Sequence, residues 1–434
     1  MHDIIKPSIL PGFLELLPQE QEEMNKIIEK IENVYKAYRF QPIDTPIIEK
    51  EEILLAKGGG ETEKQIYRVA KDSFPQALRF DLTVPLARYV AQHFNELVFP
   101  FKRYQIGKVF RGERAQRGRY REFYQCDIDI VGKDKLSILN DAELVKIIYS
   151  VFKELEVNDF EIKISNRKVL FGFLEGCGIK DKTEIMRTID KLEKIGTNNV
   201  RQELLNIGLE EDCVETLLAF ISQQGNNKDI ITYLRNIKCN NDIYKEGVKE
   251  LADLISYIEM FHVPKQNYQI DLRITRGLDY YTGFVCEAFL RSNLEIGSVC
   301  SGGRYDNLAE YYSRNKLPGV GVSIGLTRLF TILKDINKNE FSRRRNVLVI
   351  SMDDSCIEYA IKVSEKLRQE GLSLQLYYED MKLKKKMLYA DKKEFKYVII
   401  VGSDERQSES ITVKNLDSGE QERIKLNDIN INKF

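Results

Sequence analysis

Residues 110–132 read FRGERAQRGRYREFYQCDIDIVG, and the fold turns on how this stretch is read. Val109, Phe110 and Arg111 look like the end of one strand, residues 112–118 a polar loop, and residues 119–129 a returning strand. Eight of the twenty residues 102–121 are Lys or Arg, against the single acid Glu113. A ribbon so rich in arginine offers planar, bidentate donors that match phosphate oxygens. Most charged hairpins are no more than solvated faces. Here the phase argues otherwise: Arg111, Glu113, Arg119 and Arg121 are odd-numbered, and so are Gln125, Asp127 and Asp129. Residues two apart on a strand project to one face, so arginines and carboxylates would share a surface suited to a charged ligand.

Working outward, residues 19–39 carry Met24, Ile27, Ile28, Ile31, Val34 and Tyr35 at helical spacing, and Pro42 and Pro46 stop the helix. Residues 78–82 and 99–130 alternate as antiparallel strands do. Residues 141–155 return to helical spacing and 160–165 form a short strand. Between 167 and 262, Leu and Ile recur at helical spacing among Lys and Glu, which predicts a helical insertion. Strands resume at 268–274 and 283–290, followed by a helix at 325–336. Residues 337–345 (NKNEFSRRR) read as a linker. Beyond them, strands at 346–351, 372–378 and 396–402 alternate with helices at 359–369 and 382–393. That alternation predicts a small α/β domain with a mainly parallel sheet.

A chain of 434 residues is too long for one ordinary core. Its 66 basic and 67 acidic residues leave no global positive field, so any nucleic-acid contact must come from local patches. The lysines at 382, 384, 385, 386, 392 and 393 make one such patch, which reads equally well as a solvated helix face. Seven cysteines, with no CxxC pair, point to reduced thiols in a cytoplasmic protein. The N-terminus lacks signal-peptide character, and no apolar run is long enough to span a bilayer. His2, His93 and His262 stand isolated, which argues against a metal site built from His and Cys and against a Ser-His-Asp triad.

Several segments, in this order, carry a resemblance. The ribbon at 110–132 resembles motif 2 of class II aminoacyl-tRNA synthetases in its histidyl form. LRFDLTVPLARY (78–89) is similar to that family's amino-acid-binding segment, and RGLDYYTGFVCEAF (276–289) to a signature of histidyl-tRNA synthetases. GVGVSIGLTRL (319–329) resembles motif 3, and residues 382–402 and 411–421 resemble the family's anticodon-binding domain. Residues 11–18 (PGFLELLP) depart from the family's usual opening, with a proline in place of a basic residue and Glu15 in place of aspartate.

The resemblance implies an α+β fold: a class II antiparallel sheet flanked by helices at 1–166 and 263–336, a helical insertion at 167–262, and an α/β anticodon-binding domain at 346–434. It implies that Arg111 and Arg276 act on the α-phosphate of ATP and the histidine carboxylate. Glu113, Arg119 and Arg328 would hold the rest of the nucleotide, with Mg²⁺ on the phosphates. Asp81, Thr83 and Gln125 would hold the α-amino group, Asp129 and Tyr281 would read the imidazole, and Tyr280 would complete the pocket. No side-chain nucleophile is needed, because the substrate carboxylate itself attacks. The implied partners are histidine, ATP, tRNA(His) and a second copy of the chain, met through the helix and proline region near the N-terminus. Two other readings share parts of the pattern. One is the regulatory subunit of ATP phosphoribosyltransferase, which erodes the motif arginines kept here at 111, 276 and 328; the other is a synthetase of another amino acid, which lacks RGLDYY.

Overall fold

The computed structural model describes residues 5–56, 61–71, 74–179, 182–189, 191–274, 280–336 and 347–431. They divide into two compact units, Met1–Asp335 and Ile336–Phe434. Arg276 and the expected linker at 337–345 lie outside the described residues.

The first unit is organised around an eight-stranded sheet. In chain order its strands are β1 (Gln41–Pro42), β2 (Phe101–Phe110), β3 (Glu122–Val131), β4 (Phe160–Asn166), β5 (Tyr268–Ile270), β6 (Phe284–Leu290), β7 (Cys300–Tyr305) and β8 (Gly319–Gly325). They lie in the order β1-β2-β3-β8-β7-β6-β4-β5, antiparallel except where β1 meets β2 and β4 meets β5 at the two edges. Only short or late pairings are parallel, so most of the sheet assembles from hairpins and antiparallel neighbours.

β3 shows why the residues of this sheet sit as they do. Cys126, Ile128 and Ile130 point into the main apolar core, alongside Met24, Ile31 and Tyr35 from helix α1 (Pro18–Ala37) and Val145, Ile148 and Phe152 from α2 (Leu139–Glu154). The alternate residues Gln125, Asp127 and Asp129 face the other way, yet they too are buried. Polar groups are not buried for packing, so this half of the alternation marks a site. α1 begins with Pro18 at its first turn, and the Glu20 carboxylate accepts the Leu17 N–H at 3.1 Å. It ends where Arg39 takes a left-handed φ of 62°.

The expected strands match in place more often than in length. The period-two reading of Arg111 to Arg121 fails, because the paired strands end at Phe110 and restart at Glu122. The arginines occupy a loop, where alternation does not set direction. The segment at 268–274 is a strand only as far as Ile270; Asp271 then accepts the Arg273 N–H at 3.0 Å and its Nε at 2.8 Å, which closes a turn. From Arg167 to Met260 the described residues are helical apart from short connections. The last of these helices, α4 (Asp242–Met260), packs against α3 (Arg167–Gly176) and against α2, so the helical region and the sheet share one apolar core.

The second unit folds around its own sheet, β9 (Val347–Ser351), β10 (Leu374–Tyr377), β11 (Tyr397–Val401), β12 (Ser410–Asn415) and β13 (Gln421–Lys425), ordered β10-β9-β11-β12-β13. The pairs of β9 with β10 and β11 are parallel, whereas β12 and β13 add antiparallel pairs at one edge. The sheet is therefore mixed, not mainly parallel as expected. A tight turn at Asn415 to Gly419, with the Asn415 side chain accepting the Asp417 N–H at 2.9 Å, makes the final hairpin possible without a crossover helix. Both faces of the sheet are covered, one by α5 (Ile357–Gln369) and the other by α6 (Leu383–Lys392).

Candidate active site

One face of the large sheet carries a small pocket lined by Thr83, Asp127, Asp129, Tyr281, Tyr305, Gly321, Val322 and Ser323. Asp129 lies at its base. One of its oxygens, Oδ2, is 2.6 Å from Nη2 of Arg103, its cross-strand neighbour on β2; the other accepts the Tyr305 hydroxyl at 2.6 Å. Gly321, opposite Asp129 on β8, has no room for a side chain: a Cβ there would stand 1.9 Å from Oδ1 of Asp129. Asp127 takes a hydrogen bond from Ser323, while its Oδ1 has no partner among the described residues. Gln125 donates to the Ser323 hydroxyl at 2.9 Å, and its own oxygen is likewise unpaired among the described residues.

A further buried carboxylate, Asp81, lies close enough to Asp127 to raise its pKa. Asp81 ends the segment LRFD just before the helix Thr83–Gln92, where its Oδ1 accepts the Val84 N–H at 3.0 Å. Oδ2 accepts the Tyr280 hydroxyl at 3.3 Å. Tyr280 packs edge-on against Tyr281, 5.1 Å between ring centres, and against Tyr305 at 5.9 Å. Burial pushes the Asp81 carboxyl up to about 6, opposed by the Val84 N–H, Arg111 and Tyr280. Burial likewise pushes Asp127 up to about 7, with Arg103 pulling it down and Asp129 pushing it up. Asp129 is also raised by burial, and Arg103 and Tyr305 oppose the rise. Three buried acids against Arg103 and Arg111 leave a deficit of positive charge, which an ammonium or a ring N–H would relieve.

The arginine loop borders this pocket. Its base is held by backbone bonds from Arg111 N–H to Arg121 O (2.9 Å), Gly112 N–H to Gln65 O (2.7 Å) and Arg121 N–H to Gly12 O (2.7 Å). The Arg111 guanidinium donates Nε–H to Phe80 O at 3.0 Å and lies over the Phe123 ring at 5.2 Å. Arg328, near the start of helix Leu326–Ile336, donates Nε–H to Gly118 O at 2.9 Å and so ties that helix to the loop tip. Burial lowers the Arg328 pKa, and the nearby Arg119 and Arg111 cations lower it further, against Glu113 and Glu287. Three guanidiniums held this close form a site for a polyanion.

Of the expected residues, Thr83, Asp129 and Tyr281 line the pocket; Gln125 bonds to its lining at Ser323, Asp81 bonds to Tyr280 and lies near Arg111, and Glu113, Arg119 and Arg111 lie near Arg328. Tyr280 does not line the pocket itself; its hydroxyl is spent on Asp81. Arg103, Tyr305 and Ser323 are site residues that sequence reasoning missed, and Asp127 was placed on the right face without a role. Asp127 had a signal, being two residues from Asp129 on one strand. Arg103 and Tyr305 had none, since only strand register brings them to Asp129.

Comparison with known proteins agrees with this geometry. A family model described as histidyl-tRNA synthetase matches residues 12–329, and one described as anticodon binding domain matches residues 346–430. A histidine–tRNA ligase of Clostridium tetani is 56% identical over 98% of this chain and 97% of its own length. One of Finegoldia magna is 48% identical over 98% of this chain and 99% of its own. The crystal structure of histidyl-tRNA synthetase from Nostoc sp. PCC 7120 superposes with a TM-score of 0.87 at 39% identity, covering 97% of each chain. With a family model matched over most of its length and full-length relatives at this identity, the chain belongs to the histidyl-tRNA synthetase family.

Proposed function

We propose that this chain ligates L-histidine to tRNA(His) through a histidyl-adenylate, with the residues in the following roles. The family and its histidine–tRNA ligase relatives support the reaction. The observation that carries the site is the pocket that Asp129 and Tyr281 line together. Asp129 accepts a hydrogen bond from one imidazole nitrogen, and the Tyr281 hydroxyl serves the other. Two opposed polar partners for one flat ring reject apolar isosteres by a factor of about 10⁴. Asp81, with Thr83 and Gln125, receives the α-ammonium group.

In the first step the histidine carboxylate oxygen attacks the α-phosphorus of ATP, and the bond to the β-phosphate oxygen breaks to release pyrophosphate. Arg111 and, on the sequence match, Arg276 hold the carboxylate and the charge growing on the α-phosphate. Fixed cations of this kind contribute about 10²-fold or more in rate. Glu113, Arg119 and Arg328 hold the adenine end and the outer phosphates. Mg²⁺ would be supplied with the nucleotide and would neutralise phosphate charge, and Glu113 and Glu287, the acids near Arg328, would be the residues to hold it. In the second step a ribose hydroxyl of the tRNA terminus attacks the histidyl carbonyl carbon, the bond from that carbon to the phosphate oxygen breaks, and the hydroxyl proton passes to a phosphate oxygen of the departing AMP.

Residues 1–166 and 263–336 serve as the catalytic core, 167–262 as a helical insertion and 346–434 as the anticodon-binding domain, with the chain working as a cytoplasmic homodimer. No described helix is long and apolar enough to cross a membrane. The test is ATP–pyrophosphate exchange with each amino acid in turn. Exchange should depend on histidine; exchange driven by another amino acid, or none from folded protein, would overturn the assignment.

A further inference from the structure

Arg103 is among the largest side chains in the molecule with no solvent exposure, and it has no place in the reaction as derived above. It lies mid-strand on β2, in register with Asp129 on β3, so both project to the pocket face. Its Nη2 donates to the Leu82 carbonyl at 3.1 Å and forms an ion pair with Asp129 Oδ2 at 2.6 Å, an oxygen that accepts no hydrogen bond among the described residues. That carbonyl belongs to the residue between Asp81 and Thr83. One guanidinium nitrogen therefore joins the proposed imidazole reader to the backbone that carries the proposed ammonium anchors. Nε and Nη1 make no hydrogen bond among the described residues. A buried cation satisfied so sparingly is a poor stabiliser: desolvation costs several kcal/mol, and one ion pair with one carbonyl does not fully offset it. An apolar pair on this cross-strand site would pack at least as well.

We propose that Arg103 is a positioning residue for histidine recognition, holding the Asp129 carboxylate ionised and aimed at the imidazole. The proposal rests on Asp129 being the imidazole reader. An anion in this pocket needs help, because burial opposes it and only the Arg103 cation and the Tyr305 hydroxyl favour it. Facing Asp129 among the described residues are Arg103 from β2, Asp127 from its own strand, Tyr305 from β7, Tyr281 and, further off, Asp81. Burial and the two acids favour a protonated Asp129; Arg103 and the Tyr305 hydroxyl oppose that. A protonated Asp129 would offer a hydroxyl to the ring and lose the charge-assisted bond, which is roughly twice as strong as a neutral one. Tyr305 fixes the other oxygen, so the carboxylate plane is set by two partners on different strands.

Arg103→Met should raise the histidine KM in pyrophosphate exchange at pH 7 by at least tenfold while leaving the ATP KM within twofold. The defect should shrink as the pH is raised toward 9, because Asp129 then ionises without its cation; wild type should show no such recovery. Arg103→Lys keeps the charge but cannot hold Asp129 and the Leu82 carbonyl together, and should give a smaller rise with little pH dependence. If Arg103→Met does not fold, the lysine variant decides alone. A histidine KM unchanged in the folded variant, or one that rises together with the ATP KM at every pH, would show that Arg103 is only structural. Asp129→Asn separates the two ideas. If it leaves the histidine KM unchanged, the Asp129 reading falls; if it raises that KM while the Arg103 variants do not, only the Arg103 proposal falls.

Discussion

At the scale of single residues, the site holds buried acids whose ionisation is opposed by their burial. Asp127 illustrates this: it is fully buried, with one oxygen unpaired among the described residues and a carboxyl pushed up to about 7. Its folded-state value lies above the ordinary 3.8, so the folded chain binds this proton more tightly than the unfolded chain does. Stability is then lost as pH rises from about 4 to about 7, and the loss is complete above that range. Asp127→Asn removes the buried charge while Arg103 keeps Asp129 as its partner. The variant should unfold later than wild type at pH 8, by about 1–3 kcal/mol, and the gap should close near pH 4. Denaturant melts at the two pH values measure this directly; an equal gap at both would assign the effect to something other than the buried charge.

At the scale of elements, close approach of backbones decides how the helical region joins the sheet. α3 and α4 cross where Gly172 meets Tyr244, and a Cβ on Gly172 would stand 2.2 Å from the Tyr244 backbone nitrogen. Nothing flexible is available to yield there. Gly172→Ala should therefore destabilise the fold by about 2 kcal/mol or more despite the better helix propensity of alanine. Thermal unfolding would register the loss, while histidine-dependent exchange below the melting range should stay near wild type, since the crossing touches no pocket residue. The stacked pair Phe173 and Phe220, 4.0 Å between ring centres, belongs to the same buried seam.

At the scale of the whole molecule, the two units each close a core of their own. In the second unit, Val347, Val349 and Ile399 face Ala360 and Val363 on one side of the sheet, and Leu348, Ile350 and Val398 face Ala390 and Phe395 on the other. Cores closed in this way unfold as separate cooperative units. Calorimetry should resolve two transitions. Saturating histidine with ATP should raise only the one belonging to Met1–Asp335, because ligand stabilises the unit that binds it. A single transition that shifts as a whole would show instead that the units melt together.

What the sequence by itself determined is what local patterns carry. Alternation placed Gln125, Asp127 and Asp129 on one face, whereas the roles of Asp81, Tyr281 and Arg328 came from the family resemblance of the segments around them. Helical spacing located α1, α2 and the long run between 167 and 262. These readings depend on neighbours within a turn or a strand, and such neighbours are adjacent in the text as well as in space. The tertiary structure alone decided the rest. Arg103 meets Asp129 only through the register of β2 on β3, and Tyr305 reaches the same carboxylate from 176 positions away. The loop arginines, predicted from a strand period, converge because backbone bonds to Gly12 and Gln65 fold the loop back and Arg328 grips its tip. The second sheet turned out mixed because β12 returns antiparallel to β11 and the tight turn at Asn415 then adds β13 as a hairpin. Register and long-range closure are set by packing the whole core at once, and no window of sequence contains that information.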